Sequence, residues 1–146
     1  MTSARETQKE LQTLGRSLRE AIPGVYAGYT QMHGAAMSDD GVLPAKFKEL
    51  IALAIAVTRE CDGCISAHAR GAARRGATAQ EVAEAMGVAI LLNGGPGTVW
   101  GPRAYAAFAE FATPEGESGG TSGGTSSGAD GTGGAGGDQS VGRPAE

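Results

Sequence analysis

Glu60-Cys61-Asp62-Gly63-Cys64-Ile65-Ser66-Ala67-His68 gathers both cysteines of the chain and one of its two histidines into nine residues. Residues three and four apart share a face of an α-helix. On a helix, therefore, the sulfurs of Cys61 and Cys64 stand on adjacent turns, and His68 lies one turn beyond Cys64. The stretch is a dithiol with an imidazole base beside it.

Working upstream, Pro44 fits the first position of a helix over 44 to about 60, with Phe47, Leu50, Ile51, Ala54 and Ile55 on its main apolar face. Leu53, Ala56 and Val57 make the opposite side apolar too, so this helix is expected to be central. The cysteine helix is expected from Cys61 or Asp62 to Arg75, closed by Gly76, and its Ala67, Ala69, Ala72 and Ala73 allow a neighbour to approach closely. Farther upstream, Ser3-Ala4-Arg5-Glu6 has the form of a capping box, followed by Leu11, Leu14, Leu18 and Ile22 at helical spacing until Pro23. A weaker helix over 25 to 37 comes next, and Ser38-Asp39-Asp40-Gly41 makes a turn. Downstream, Thr78-Ala79-Gln80-Glu81 is a second capping box opening a helix through Val82, Met86 and Ala89. After Asn93-Gly94-Gly95-Pro96, Trp100, Ala104, Tyr105, Phe108 and Phe111 mark a last helix over about 97 to 112. No stretch alternates with period two, so residues 1–112 read as an all-α domain of about six helices.

From Thr113 to Glu146 the composition turns to Gly, Ser and Thr, with Val141 the lone large aliphatic, too little apolar surface to offset the entropy of ordering. Residues 113–146 are expected to be a disordered tether. Asp138 to Pro144 within it is a candidate docking peptide for packaging into a protein shell, and unstructured filler is the alternative. The formal charge of −4 belongs to this tail: residues 1–112 carry eleven Lys and Arg against eleven Asp and Glu. A neutral body excludes a basic nucleic-acid footprint, and Arg70, Arg74 and Arg75 are read as a solvated helix face. The longest apolar run, Leu50 to Val57, is far shorter than a membrane span. Arg5, Glu6, Lys9 and Glu10 stand where a signal peptide needs apolar residues, so a cytoplasmic location is expected. In that reducing compartment a close cysteine pair points to catalysis or metal binding rather than a permanent staple.

The first turn of a helix stabilises a thiolate through its unpaired N–H groups and dipole, and His68 adds a base. Cys64, one turn from His68, is the expected attacking sulfur. Cys61, nearer the helix mouth and solvent, is the expected resolving one. Glu49 shares its helix side with Leu53, Ala56 and Val57, where a carboxylate is partly desolvated and suited to passing protons. Its plainer reading is a pair with Lys46 or Lys48. Gly94-Gly95-Pro96-Gly97 follows no strand and is a helix–helix turn rather than a phosphate loop, and no cofactor site is read anywhere in the chain.

Glu49, eleven residues, Cys61-x-x-Cys64, three residues, His68, and then Gly76-Ala77-Thr78-x-x-Glu81-Val82 together resemble the carboxymuconolactone decarboxylase-like family, in its alkyl hydroperoxide reductase D-type branch. The resemblance covers about residues 20 to 112. It implies an orthogonal helical bundle assembling as a homotrimer or homohexamer, and a cysteine pair cycling between dithiol and disulfide. It implies further that Cys64 reacts with a hydroperoxide, that Cys61 resolves it and meets the reductant, and that Glu49 and His68 relay protons. The reductant is then an external dithiol, a lipoyl protein or a thioredoxin-like one, attacking Cys61. The better-known peroxidases have a second histidine at the position of Gly63, whereas the lactone decarboxylases of the family lack the cysteine pair. Two other classes stay open. One is a zinc site of Cys61, Cys64, His68 and His33, where His33 is otherwise a packing or surface residue. The other is a non-enzymatic redox sensor or structural oligomer.

Overall fold

A computed structural model describes residues 2–113. The tail expected to be disordered, with its candidate docking peptide, lies outside the described residues from position 114 onward. The expected all-α class holds: among the described residues the chain runs through α1 (Ala4–Ala21), α2 (Pro23–Met37), α3 (Ala45–Thr58), α4 (Asp62–Arg74), α5 (Ala79–Asn93) and α6 (Gly95–Ala112), with no strand. None of these helices is long and apolar enough to cross a membrane.

Local chemistry sets the helix ends. Both capping boxes form: the Ser3 hydroxyl accepts the Glu6 N–H at 3.1 Å and Glu6 Oε2 accepts the Ser3 N–H at 2.9 Å, and Thr78 and Glu81 do the same at the head of α5. The C-termini of α3 and α4 close alike. Gly76, at φ 74°, sends its N–H to the Ala73 carbonyl while Ala77 reaches back to Ala72. At the end of α3 that left-handed position is held by Glu60 (φ 53°), with Glu60 N–H on Val57 and Cys61 N–H on Ala56. This turn swings the chain from α3 straight into the cysteine segment.

The core gathers Leu53 and Val57 of α3, Ile65, Ala69 and Ala72 of α4, Val82, Met86 and Ala89 of α5, and Ala104 and Phe108 of α6. α4 packs against α3, α6 and α1, and α5 against α3 and α6. At Gly97 a Cβ would stand 2.8 Å from the Ile90 Cα, so the missing side chain lets α6 lie on α5. The start of α1 is pinned: the Glu110 carboxylate accepts the Ala4 and Arg5 N–H groups at 3.2 and 3.3 Å, and Ser66 Oγ donates to the Ala4 carbonyl at 2.5 Å. Beyond that point Leu11, Leu14, Leu18 and Ile22 are exposed. No residue of α2 is buried, and its backbone runs beside α1 and α3 alone among the helices.

α3 is central as expected, but it faces the core chiefly with its other side. Of the expected face Leu50 is buried and Ala54 packs against the core, whereas Phe47, Ile51 and Ile55 are exposed; Glu49, Leu53, Ala56 and Val57 are buried. The reason is fit. Glu49 lies against Gly71 of α4, and Leu53 and Val57 join the same core cluster as the small Ala69 and Ala72.

Candidate functional site

Cys61 is the N-cap of α4, and its Sγ accepts the Cys64 N–H at 3.2 Å. The two cysteines are joined by a disulfide, Cα to Cα 5.3 Å. The structure thus brings the sulfurs together at the mouth of the helix, where the spacing puts them. Their exposure reverses expectation: Cys64 is exposed and Cys61 only partly so. The turn at Glu60 ties the Cys61 backbone to Ala56 and lays that residue against the end of α3.

One turn on from Cys64, His68 Nδ1 lies 2.8 Å from Glu49 Oε2. Glu49 is 5% exposed, a position a carboxylate occupies only when it is paired. It has a second partner: Arg75 Nε is 3.5 Å from Oε1. The lysines of α3 are engaged elsewhere, Lys46 with Glu81 at 2.7 Å and Lys48 with the Ser38 carbonyl at 2.6 Å, so the plainer reading of Glu49 is set aside. Between His68 and Arg75 on the same face of α4 comes Gly71, and a Cβ there would collide with the Glu49 carboxyl group. The absent side chain makes room for the acid.

Arg75 is the residue that reading the sequence missed. It is exposed as expected but not free of partners: besides its ion pair with Glu49 it donates from Nη1 to Asp39 Oδ2 at 2.9 Å. Asp39 Oδ1 in turn accepts the Ala45 N–H at 2.9 Å at the head of α3. That N–H, chiefly, holds the Asp39 carboxyl below the usual carboxylate range; residual desolvation opposes it, and the charges of Arg75 and Lys48 add to it. Arg70, also assigned to solvent, donates to Gln8 Oε1 at 3.2 Å. A signal for Arg75 was present: residues 64, 68, 71 and 75 recur at intervals of four, three and four, one stripe of a helix.

His33 of α2 lies ring to ring with His68, centroids 6.3 Å apart and planes 22° from parallel. With the sulfurs bonded to each other, the four-ligand zinc set is not assembled, and no group of three or more His, Cys, Asp and Glu among the described residues is placed to hold a metal ion. Gly63 lies under Leu11 of α1, whose Cδ1 would be 2.6 Å from a Cβ at that position.

The model of the carboxymuconolactone decarboxylase family matches residues 23–110. An uncharacterized protein of Cupriavidus necator is 39% identical over 92 residues, spanning 63% of this chain and 80% of its own length. A second, uncharacterized protein 4 in the cox locus of Paracoccus denitrificans, is 34% identical over 94 residues, 57% of this chain and 85% of that protein. Among solved structures, the apo form of a carboxymuconolactone decarboxylase family protein from Legionella pneumophila superposes with a TM-score of 0.72 at 34% identity, over 75% of this chain and 97% of that one.

Proposed function

The chain belongs to the carboxymuconolactone decarboxylase family, and on that premise we propose that it is a thiol-dependent peroxidase or disulfide reductase working through Cys61 and Cys64. The observation that carries this reading is the dithiol pair at a helix mouth, one turn from a histidine that is itself 2.8 Å from a buried carboxylate. In the reduced protein His68, backed by Glu49, takes the proton of Cys64. The thiolate attacks the terminal oxygen of a hydroperoxide; the O–O bond breaks, an alcohol leaves with a proton, and Cys64 becomes a sulfenic acid. Cys61 displaces the hydroxyl as water and closes the disulfide. A lipoyl or thioredoxin-like dithiol then attacks that disulfide and is itself oxidised, which restores both thiols.

Cys64→Ser is expected to abolish hydroperoxide consumption in the presence of either recycling system, while Cys61→Ser allows one oxidation without turnover. Full activity of Cys64→Ser refutes the assignment. The setting of this reaction is a cytoplasmic homotrimer or homohexamer. The segment from 114 onward serves as a tether to a protein shell. If deletion of residues 114–146 alters neither partners nor location in cell fractionation, the tether is discarded.

A further inference from the structure

Four charged or titratable side chains from three segments line up across the α3–α4 junction: Asp39 after α2, Arg75 at the end of α4, Glu49 on α3 and His68 back on α4. The contacts at 2.8, 2.9 and 3.5 Å join them end to end, and Glu49 in the middle is the most deeply buried. A guanidinium only donates and a carboxylate only accepts. With Arg75 on Oε1, the buried acid has the countercharge it needs, and Oε2 is left to accept from His68. An imidazole that donates from Nδ1 carries its free electron pair on Nε2. Gly71 keeps the space between the two α4 partners clear for the carboxylate.

We propose that Arg75, anchored by Asp39, is a positioning residue that holds Glu49 through an ion pair at Oε1, leaves Oε2 to accept from His68, and so fixes His68 in the tautomer with its hydrogen on Nδ1 and its basic nitrogen at Nε2. The catalytic consequence rests on the peroxidase reading, because only then is Nε2 the atom that takes a thiol proton. The tautomer itself does not depend on that reading. Asp39 matters because it tethers a side chain that is one-third exposed. The outer side of Arg75 opens onto a surface hollow shared with Asp39, Lys46 and Arg74, so without its tether the guanidinium is free to turn to water.

The test is nitrogen-15 NMR of the imidazole rings in full-length protein labelled at histidine, at a pH where they are neutral, with His33→Gln assigning the two ring systems. Wild type is expected to show His68 hydrogenated at Nδ1. Arg75→Gln is expected to shift the population toward the Nε2–H form and to lower kcat for hydroperoxide by at least about tenfold, part of the 10²–10⁴ that a positioned acid–base group carries, with KM little changed. Arg75→Lys, which keeps the charge, recovers part of both signals. Asp39→Asn gives a smaller shift in the same direction, and decides the matter alone if Arg75→Gln fails to fold. An unchanged His68 pattern in folded Arg75→Gln, or in Asp39→Asn where that variant decides, overturns the proposal. Wild type that consumes no hydroperoxide overturns the peroxidase reading instead, and the NMR result still judges Arg75.

Discussion

Gly63 and Gly71 both lie against a side chain of another helix, and the contacts differ in what can give way. At Gly63 the neighbour is the end of Leu11, a half-exposed side chain free to rotate. At Gly71 it is the Glu49 carboxyl group, held at both oxygens. Alanine is favoured over glycine within a helix by about 1 kcal/mol in either place. Gly63→Ala is therefore expected to be neutral or slightly stabilising, whereas Gly71→Ala is expected to cost about 1–3 kcal/mol from overpacking and to slow peroxide turnover. Denaturant midpoints of the two variants decide this, and coincident values dismiss it. Asp39 predicts a pH effect. Its carboxyl titrates lower folded than unfolded, so its contribution is complete above the ordinary carboxylate pKa of about 4 and is lost as pH falls through the folded value. Urea midpoints measured from pH 6 downward should fall less steeply for Asp39→Asn than for wild type over that range; parallel curves remove Asp39 from the account. The placement of Cys61, Cys64, His68 and Glu49 was legible because it follows from spacing within one helix or from polarity against its own helix face. Arg75 was not. Its partners come from segments 26 and 36 positions away, and one arginine beside two others reads as solvent-facing until the fold brings Asp39 and Glu49 to it.

The helix ends were the most readable elements, since capping boxes and Gly76 act through neighbours in sequence. The side of α3 that turns inward was not readable. Apolar residues cover both faces of that helix, and periodicity carries no information about which face meets the small residues of α4. The join between these helices carries a testable cost. Glu60 holds a left-handed conformation at φ 53°, unfavourable for any residue with a Cβ by about 1–2 kcal/mol and offset in glycine by its larger unfolded entropy. Glu60→Gly is expected to raise stability by up to about 1 kcal/mol without changing thiol chemistry. A lower melting temperature for that variant contradicts the role assigned to the turn.

For the molecule as a whole, the exposed apolar side chains are not scattered. Leu14, Leu18 and Ile22 of α1 continue into Val25, Tyr29 and Met32 of α2, while Leu43, Phe47, Ile51 and Val88 border a second apolar hollow. Surfaces of that kind mark contact sites. Light scattering of the purified chain is expected to give a three- or sixfold multiple of 14.6 kDa, and Val25→Asp with Ile51→Asp to lower it while helical content stays. A monomeric wild type defeats the assembly. The Cys61–Cys64 bond, by contrast, closes a ring only four residues around. The freedom a cross-link takes from the unfolded chain grows with the logarithm of ring size, so this one restrains it about as little as such a bond can. Heat should therefore melt the oxidised and reduced forms at nearly the same point, so the architecture is wagered on neither state of the two sulfurs.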